Sequence, residues 1–118
     1  MKYPKVVTRY PDTFDQTSQL KILLFFDQSL LAFKGHFPNI PVLPGVAQTD
    51  FAIYFASQFL ALDRKRVDKI QQLKFTKVIK PDMQLYLALN IMDTRLDFRY
   101  FDQHDRVYAI GKIALMSS

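Results

Sequence analysis

The chain has 118 residues, 49% of them apolar, no cysteine and a formal net charge of +5 at neutral pH. These figures exclude a disordered chain, a disulfide framework and thiolate chemistry, and they suit one domain over residues 1–118 with a single core. No apolar run reaches the roughly 18 residues of a membrane helix, and Met1-Lys2-Tyr3-Pro4-Lys5 leads into no signal-peptide core, so a cytoplasmic protein is expected.

Met1 to Gln16 is polar, holds Pro4 and Pro11, and reads as an arm or irregular lead-in. Ser18 to Asp27 carries Leu20, Ile22, Leu23, Leu24, Phe25 and Phe26, an apolar run of strand length. A turn at Asp27-Gln28-Ser29 separates it from a second short run, Leu30 to Phe33. Next comes Gly35 to Asp50, GHFPNIPVLPGVAQTD, with Pro38, Pro41 and Pro44 close together. Proline fixes φ and removes a backbone donor, so this segment is stiff and poor at being helix or central strand. It ends in the one convincing helix, Gly45 to about Leu62, which has no internal glycine or proline. Apolar side chains spread around nearly its whole circumference, which predicts a helix buried in the fold.

The remainder reads as strands. Asp68 to Ile79 is one, closed by Pro81-Asp82. Met83 to Met92 places Leu85, Leu87, Leu89 and Ile91 on one side. Arg95 to Phe101 and Arg106 to Met116 are joined by the polar turn Asp102-Gln103-His104-Asp105. The sum is an α+β layer arrangement: one long helix against an antiparallel sheet of five or six strands. Basic residues thicken after the helix, at Arg64, Lys65, Arg66, Lys69, Lys74, Lys77 and Lys80. They suit an anionic partner or simply a solvated face. No nucleic-acid motif is present, and the aromatics are not interleaved with the basic residues, so nucleic acid is not the expected partner.

Gly35-His36-Phe37-Pro38, then Pro41-Val42-Leu43-Pro44-Gly45-Val46, then Asp50, resembles the 3-hydroxyacyl-[acyl-carrier-protein] dehydratases of the FabZ/FabA type. The likeness covers roughly Gln19 to Leu115 and extends to Lys74–Asp82, KFTKVIKPD. It implies the hotdog fold, in which a curled antiparallel sheet wraps one central helix. Asp50 stands where FabZ-like members carry glutamate, Asn39 where glycine is common, and Pro81-Asp82 lacks an intervening glycine. With the short length, these departures resemble the ApeI-like proteins of aryl polyene synthesis.

The resemblance implies dehydration of a 3-hydroxyacyl thioester. That reaction needs a base for the C2 proton, help for the departing C3 hydroxyl, and donors for the thioester oxygen. His36 is implied as the base, since imidazole with a reference pKa of about 6.5 is largely neutral at pH 7. The Val42 carbonyl would hold its tautomer. Asp50 would orient or protonate the hydroxyl; acting as an acid would require burial to lift it from about 3.9. The Gly45 N–H, at the start of the helix, would polarise the thioester carbonyl. Plainer readings exist: His36 as a structural residue, Asp50 as a first-turn acid facing the helix dipole, and Gly45 as a helix-entry glycine. His104 falls in a turn and is expected to be exposed and idle. Two histidines this far apart make no metal site, and no resident cofactor is implied, because the substrate brings its own phosphopantetheine. The resemblance further implies a homodimer whose sites pair His36 of one chain with the acid of the other, and an acyl carrier protein as partner. Arg64, Lys65 and Arg66 are the candidates for receiving that acidic carrier. Thioester hydrolysis and a non-catalytic binding subunit are the alternatives.

Overall fold

Strict alternation sets the sheet. The computed structural model describes residues 1–11, 19–34 and 41–117. In β2 (Gln19–Phe26) every second side chain, Leu20, Ile22, Leu24 and Phe26, is buried. β4 (Met83–Met92) buries Leu85, Leu87 and Leu89 in the same way. β2 pairs with β4 so that Ile22 lies opposite Leu87 and Leu24 opposite Leu85, which puts both apolar rows on one face. β5 (Arg95–Phe101) adds Leu96, Phe98 and Tyr100 to that face, and β6 (Val107–Leu115) adds Ala109 and Ile113. Full burial of each such Leu, Ile or Phe side chain stabilises by roughly 1.5–3 kcal/mol.

The described strands form one six-stranded antiparallel sheet in the order β1-β2-β4-β5-β6-β3. β1 (Lys5–Pro11) and β3 (Val67–Phe75) are its edges. After β2 the chain crosses through α1 (Gly45–Phe59) to the far edge, β3, and then returns to lay β4 beside β2. This is the hotdog arrangement of one helix against a curled sheet.

Four expectations are corrected. The polar lead-in contains β1, because Val6, Val7, Thr8 and Tyr10 favour extended backbone and β2 offers a free edge; a bulge between Val6 and Thr8 interrupts the ladder. Leu31–Phe33 is a short 3-10 turn and not a strand; its backbone bonds stay local, apart from Leu31 N–H donating to the Met1 carbonyl at 2.9 Å. α1 ends at Phe59: Leu60 N–H donates to the Ala56 carbonyl, and Ala61 takes the left-handed φ of 57° at the position where glycine usually ends a helix. β3 stops at Phe75, and Thr76 to Ile79 continue as loop.

α1 is buried on one side only, which corrects the all-round burial expected from its composition. Gln48, Thr49, Phe51, Ala52, Phe55 and Ala56 are covered. The opposite stripe, spaced four, three and four residues apart at Val46, Asp50, Ile53 and Ser57, is open or half-open, with Val46 78% exposed. Phe51 and Phe55 are core, while Phe59 is only partly covered. The N-terminal arm supplies part of the cover: Tyr3 stacks on Tyr54 at 3.5 Å between centroids and meets Phe51 edge-on.

β3 is the exception to the packing. Its Ile70, Leu73 and Phe75 pair with Ile113, Gly111 and Ala109, buried positions of β6, so they point to the core face. They nonetheless stand 51%, 36% and 44% exposed. They lie along a bare sheet edge, and Val46 and Val78 are exposed as well.

Candidate active site

The site is built around the start of α1. The loop Pro41–Pro44 enters it in extended form, anchored where Leu43 N–H donates to the Ile79 carbonyl at 2.8 Å. Pro44 is the N-cap and provides no side-chain cap. The first backbone N–H groups of the helix therefore point outside its own hydrogen-bond ladder, and the dipole makes that end electropositive. Gly45 sits there, half-buried. A Cβ at this position would meet the Phe75 ring at 2.7 and 2.8 Å. The glycine lets the Phe75 ring of β3 lie close against the start of the helix, a contact that sequence alone did not reveal.

Two buried side chains hold this corner. Gln48, 3% exposed, donates its amide to the Leu43 carbonyl at 3.1 Å, while its Oε1 has no protein partner among the described residues. Tyr100 reaches up from β5 and donates its hydroxyl to the Gln48 carbonyl at 2.6 Å. Burial pushes the Tyr100 phenol well above its ordinary 10.0, and the nearby Asp50 charge pushes the same way. Sequence reasoning passed over both residues; a polar Gln within an apolar helix face was the only available signal.

Asp50 lies on the open stripe of α1, with its side chain 48% exposed. Its expected burial among Phe and Ile side chains is not what this chain provides, because Phe51 and Phe55 line the opposite stripe and Ile53 shares the open one. Its partner is Arg64, whose guanidinium donates to Oδ1 at 3.2 Å. His36 falls outside the described residues, as does its pairing with Val42. Val42 itself is half-buried in the anchored loop.

The basic cluster after the helix divides by role. Arg66 is a clamp: its side chain donates to the carbonyls of Met116 and Asp93, each at 2.8 Å. Arg64 is engaged with Asp50. Lys65, Lys69, Lys74, Lys77 and Lys80 are exposed. His104 is exposed in the β5–β6 turn. Among the described residues no three His, Cys, Asp or Glu side chains gather as a metal site. No described helix is long and apolar enough to cross a membrane. A hollow of about 520 Å³ lies across the sheet at Lys21, Ala88, Arg99 and Ile110, and none of its lining residues belongs to α1 or to Pro41–Pro44. It is therefore not the site described here.

Comparison with known proteins agrees with this architecture. The ApeI-like family, described as ApeI dehydratase, matches residues 12–112. The structure of the dehydratase heterocomplex ApeI:P from Xenorhabdus doucetiae is 34% identical, with a TM-score of 0.85 over 98% of this chain and 99% of that one. An uncharacterized protein from Erwinia carotovora subsp. atroseptica is 30% identical, with a TM-score of 0.79 over 97% of this chain and 96% of that one. The dehydratase domain of PpsC from Mycobacterium tuberculosis, solved in complex with C12:1-CoA, is 18% identical. It has a TM-score of 0.70 over 100% of this chain and 45% of that one, which is a likeness of fold. No curated protein matches the sequence. With the family match spanning residues 12–112 and the hotdog sheet in place, the chain belongs to the ApeI-like dehydratases.

Proposed function

We propose that this dehydratase removes water from a 3-hydroxyacyl thioester on an acyl carrier protein, giving the trans-2-enoyl thioester for fatty-acid or polyene-type biosynthesis. The working unit is a homodimer in which His36 of one chain faces Asp50 of the partner subunit. One observation carries this reading. The uncapped start of α1, at Gly45, lies against Phe75 on the sheet edge whose core-facing apolar side chains, Ile70, Leu73 and Phe75, are uncovered among the described residues, and Asp50 follows on the open stripe of the same helix. A second copy laid along β3 would cover those side chains, extend the sheet, and close over the open stripe of α1.

On this reading three groups share the chemistry. Neutral His36 takes the C2 proton. As negative charge develops on the thioester oxygen, the Gly45 N–H and the dipole of α1 stabilise it. Asp50 holds the C3 hydroxyl, which leaves as water. The phosphopantetheine arm belongs to the substrate. The exposed Lys65, Lys69, Lys74, Lys77 and Lys80 supply positive charge for an acidic carrier, now without Arg64 and Arg66, which are engaged within the chain. Charge reversal at Lys65 and Lys69 is expected to raise KM for carrier-bound substrate at low salt and to leave a pantetheine mimic untouched.

The direct test is turnover of 3-hydroxyacyl thioesters of several chain lengths, followed by mass and by free thiol. Loss of one water by the wild type, absent in His36→Ala and Asp50→Asn, supports the reading. Free thiol with intact hydroxyacid would make the protein a thioesterase. A second reading keeps the β3 surface but fills it with a different chain, as the heterocomplex of the Xenorhabdus relative suggests. Light scattering separates the two: a purified chain at twice 13.8 kDa supports the homodimer, and a monomer supports the hetero-partner.

A further inference from the structure

We propose that Arg64 is a positioning residue for this reaction, orienting Asp50 so that it grips the departing hydroxyl. The inference rests on the dehydratase reading and deepens it. Arg64 is placed by built structure. Ala61, in the left-handed region, turns the chain off the end of α1. Asp63 then caps the short 3-10 turn Arg64–Arg66 by accepting from Lys65 N–H at 3.0 Å. Arg66 bolts that turn to Met116 and Asp93. From this fixed base the Arg64 guanidinium reaches Asp50 Oδ1 at 3.2 Å, fourteen residues back along the chain.

The Arg64 guanidinium is a planar donor fork, and its bond to Oδ1 fixes where the Asp50 side chain points. The proton balance runs through His36. Its imidazole takes hydrogen from C2, and the freed electron pair becomes the C2–C3 double bond. The C3–O bond breaks with its pair on oxygen, and the imidazolium returns the proton there. Water leaves and neutral imidazole is restored. Asp50 accepts a hydrogen bond from the hydroxyl throughout, with one oxygen steadied by Arg64.

A half-exposed pair contributes little to stability, so the effect belongs in kinetics and not in melting. The test uses the purified full chain in two parts. First, ¹⁵N NMR of the Arg64 guanidinium, read without substrate, should show restricted rotation in the wild type that Asp50→Asn abolishes. Second, Arg64→Gln should melt with the wild type yet lose on the order of tenfold in kcat with KM nearly unchanged. Arg64→Lys should recover part of that loss, keeping charge without the planar fork, and added guanidinium should partly rescue Arg64→Ala. An Arg64→Gln variant with wild-type kcat overturns the proposal. So does one that is faster, since Asp50 would then be an acid that Arg64 restrains. A free-rotating Arg64 overturns it as well. A wild type that turns over no hydroxyacyl thioester strikes the dehydratase reading instead, because the guanidinium signal is read without turnover.

Discussion

β2 and β3 carry similar apolar side chains and meet opposite fates. β2 turns Leu20, Ile22, Leu24 and Phe26 toward the helix, and all four are buried. β3 turns Ile70, Leu73 and Phe75 to the same face of the same sheet, and all three stay a third to a half exposed. The sheet order explains the difference. β2 lies inside the sheet, while β3 is its edge, beyond the reach of the core-facing side of α1. An apolar alternation thus states a need for cover without saying which chain provides it. Here the uncovered strand is also the one nearest the start of α1, since a Cβ on Gly45 would strike Phe75.

Substitutions that separate these two strands should sort by size of effect. Leu24→Ala opens a cavity at a fully buried site and should cost about 2–5 kcal/mol in urea unfolding. A loss below about 1 kcal/mol would mean that β2 is not core. Leu73→Asp with Phe75→Asp should leave the protomer's circular dichroism intact, convert the proposed dimer to monomer on a sizing column, and abolish turnover. A mutant that stays dimeric and active would move the interface away from β3.

Gly45→Ala should be milder, costing about 1–3 kcal/mol through overpacking against the Phe75 ring. Phe75→Leu in the same chain should recover much of that stability; if it does not, the crowding lies elsewhere. Tyr100→Phe should be mildest. It removes the bond to the Gln48 carbonyl, worth about 0.5–1.5 kcal/mol. It also tests the alkaline limb. Because the folded phenol stays protonated above its ordinary 10.0, the folded chain keeps a proton that the unfolded chain releases there. That contribution is fully present below this pH and is lost as pH climbs past it. The wild type should therefore lose stability in that range more steeply than Tyr100→Phe, as thermal melts at rising pH would show.

The strands between Gln19 and Leu115 were legible because alternation with a period of two survives wherever one face is buried. β1 was not, because Pro4, Pro11 and the surrounding polar residues mask a run of β-formers that gains its order from pairing with β2. The end of α1 was overshot because Ala61 adopts a backbone conformation that the usual glycine signal would have announced. Within the site, the His36–Gly45–Asp50 spacing was readable as a motif. The placement of Asp50 on the open stripe was not, since composition made α1 look apolar all round. The Arg64 contact was equally hidden: it joins residues fourteen apart across the end of a helix, where no local periodicity connects them.

The account stands on a site shared between two chains, and subunit mixing tests that directly. His36→Ala and Asp50→Asn, each inactive alone, would be unfolded together and refolded at equal concentration. A two-fold dimer with shared sites predicts that half of the dimers are mixed, each with one intact site, so activity should return to about a quarter of the wild-type value. A mixture as inactive as its components, although mixed dimers form, would show that His36 and Asp50 act within one chain and would contradict the account.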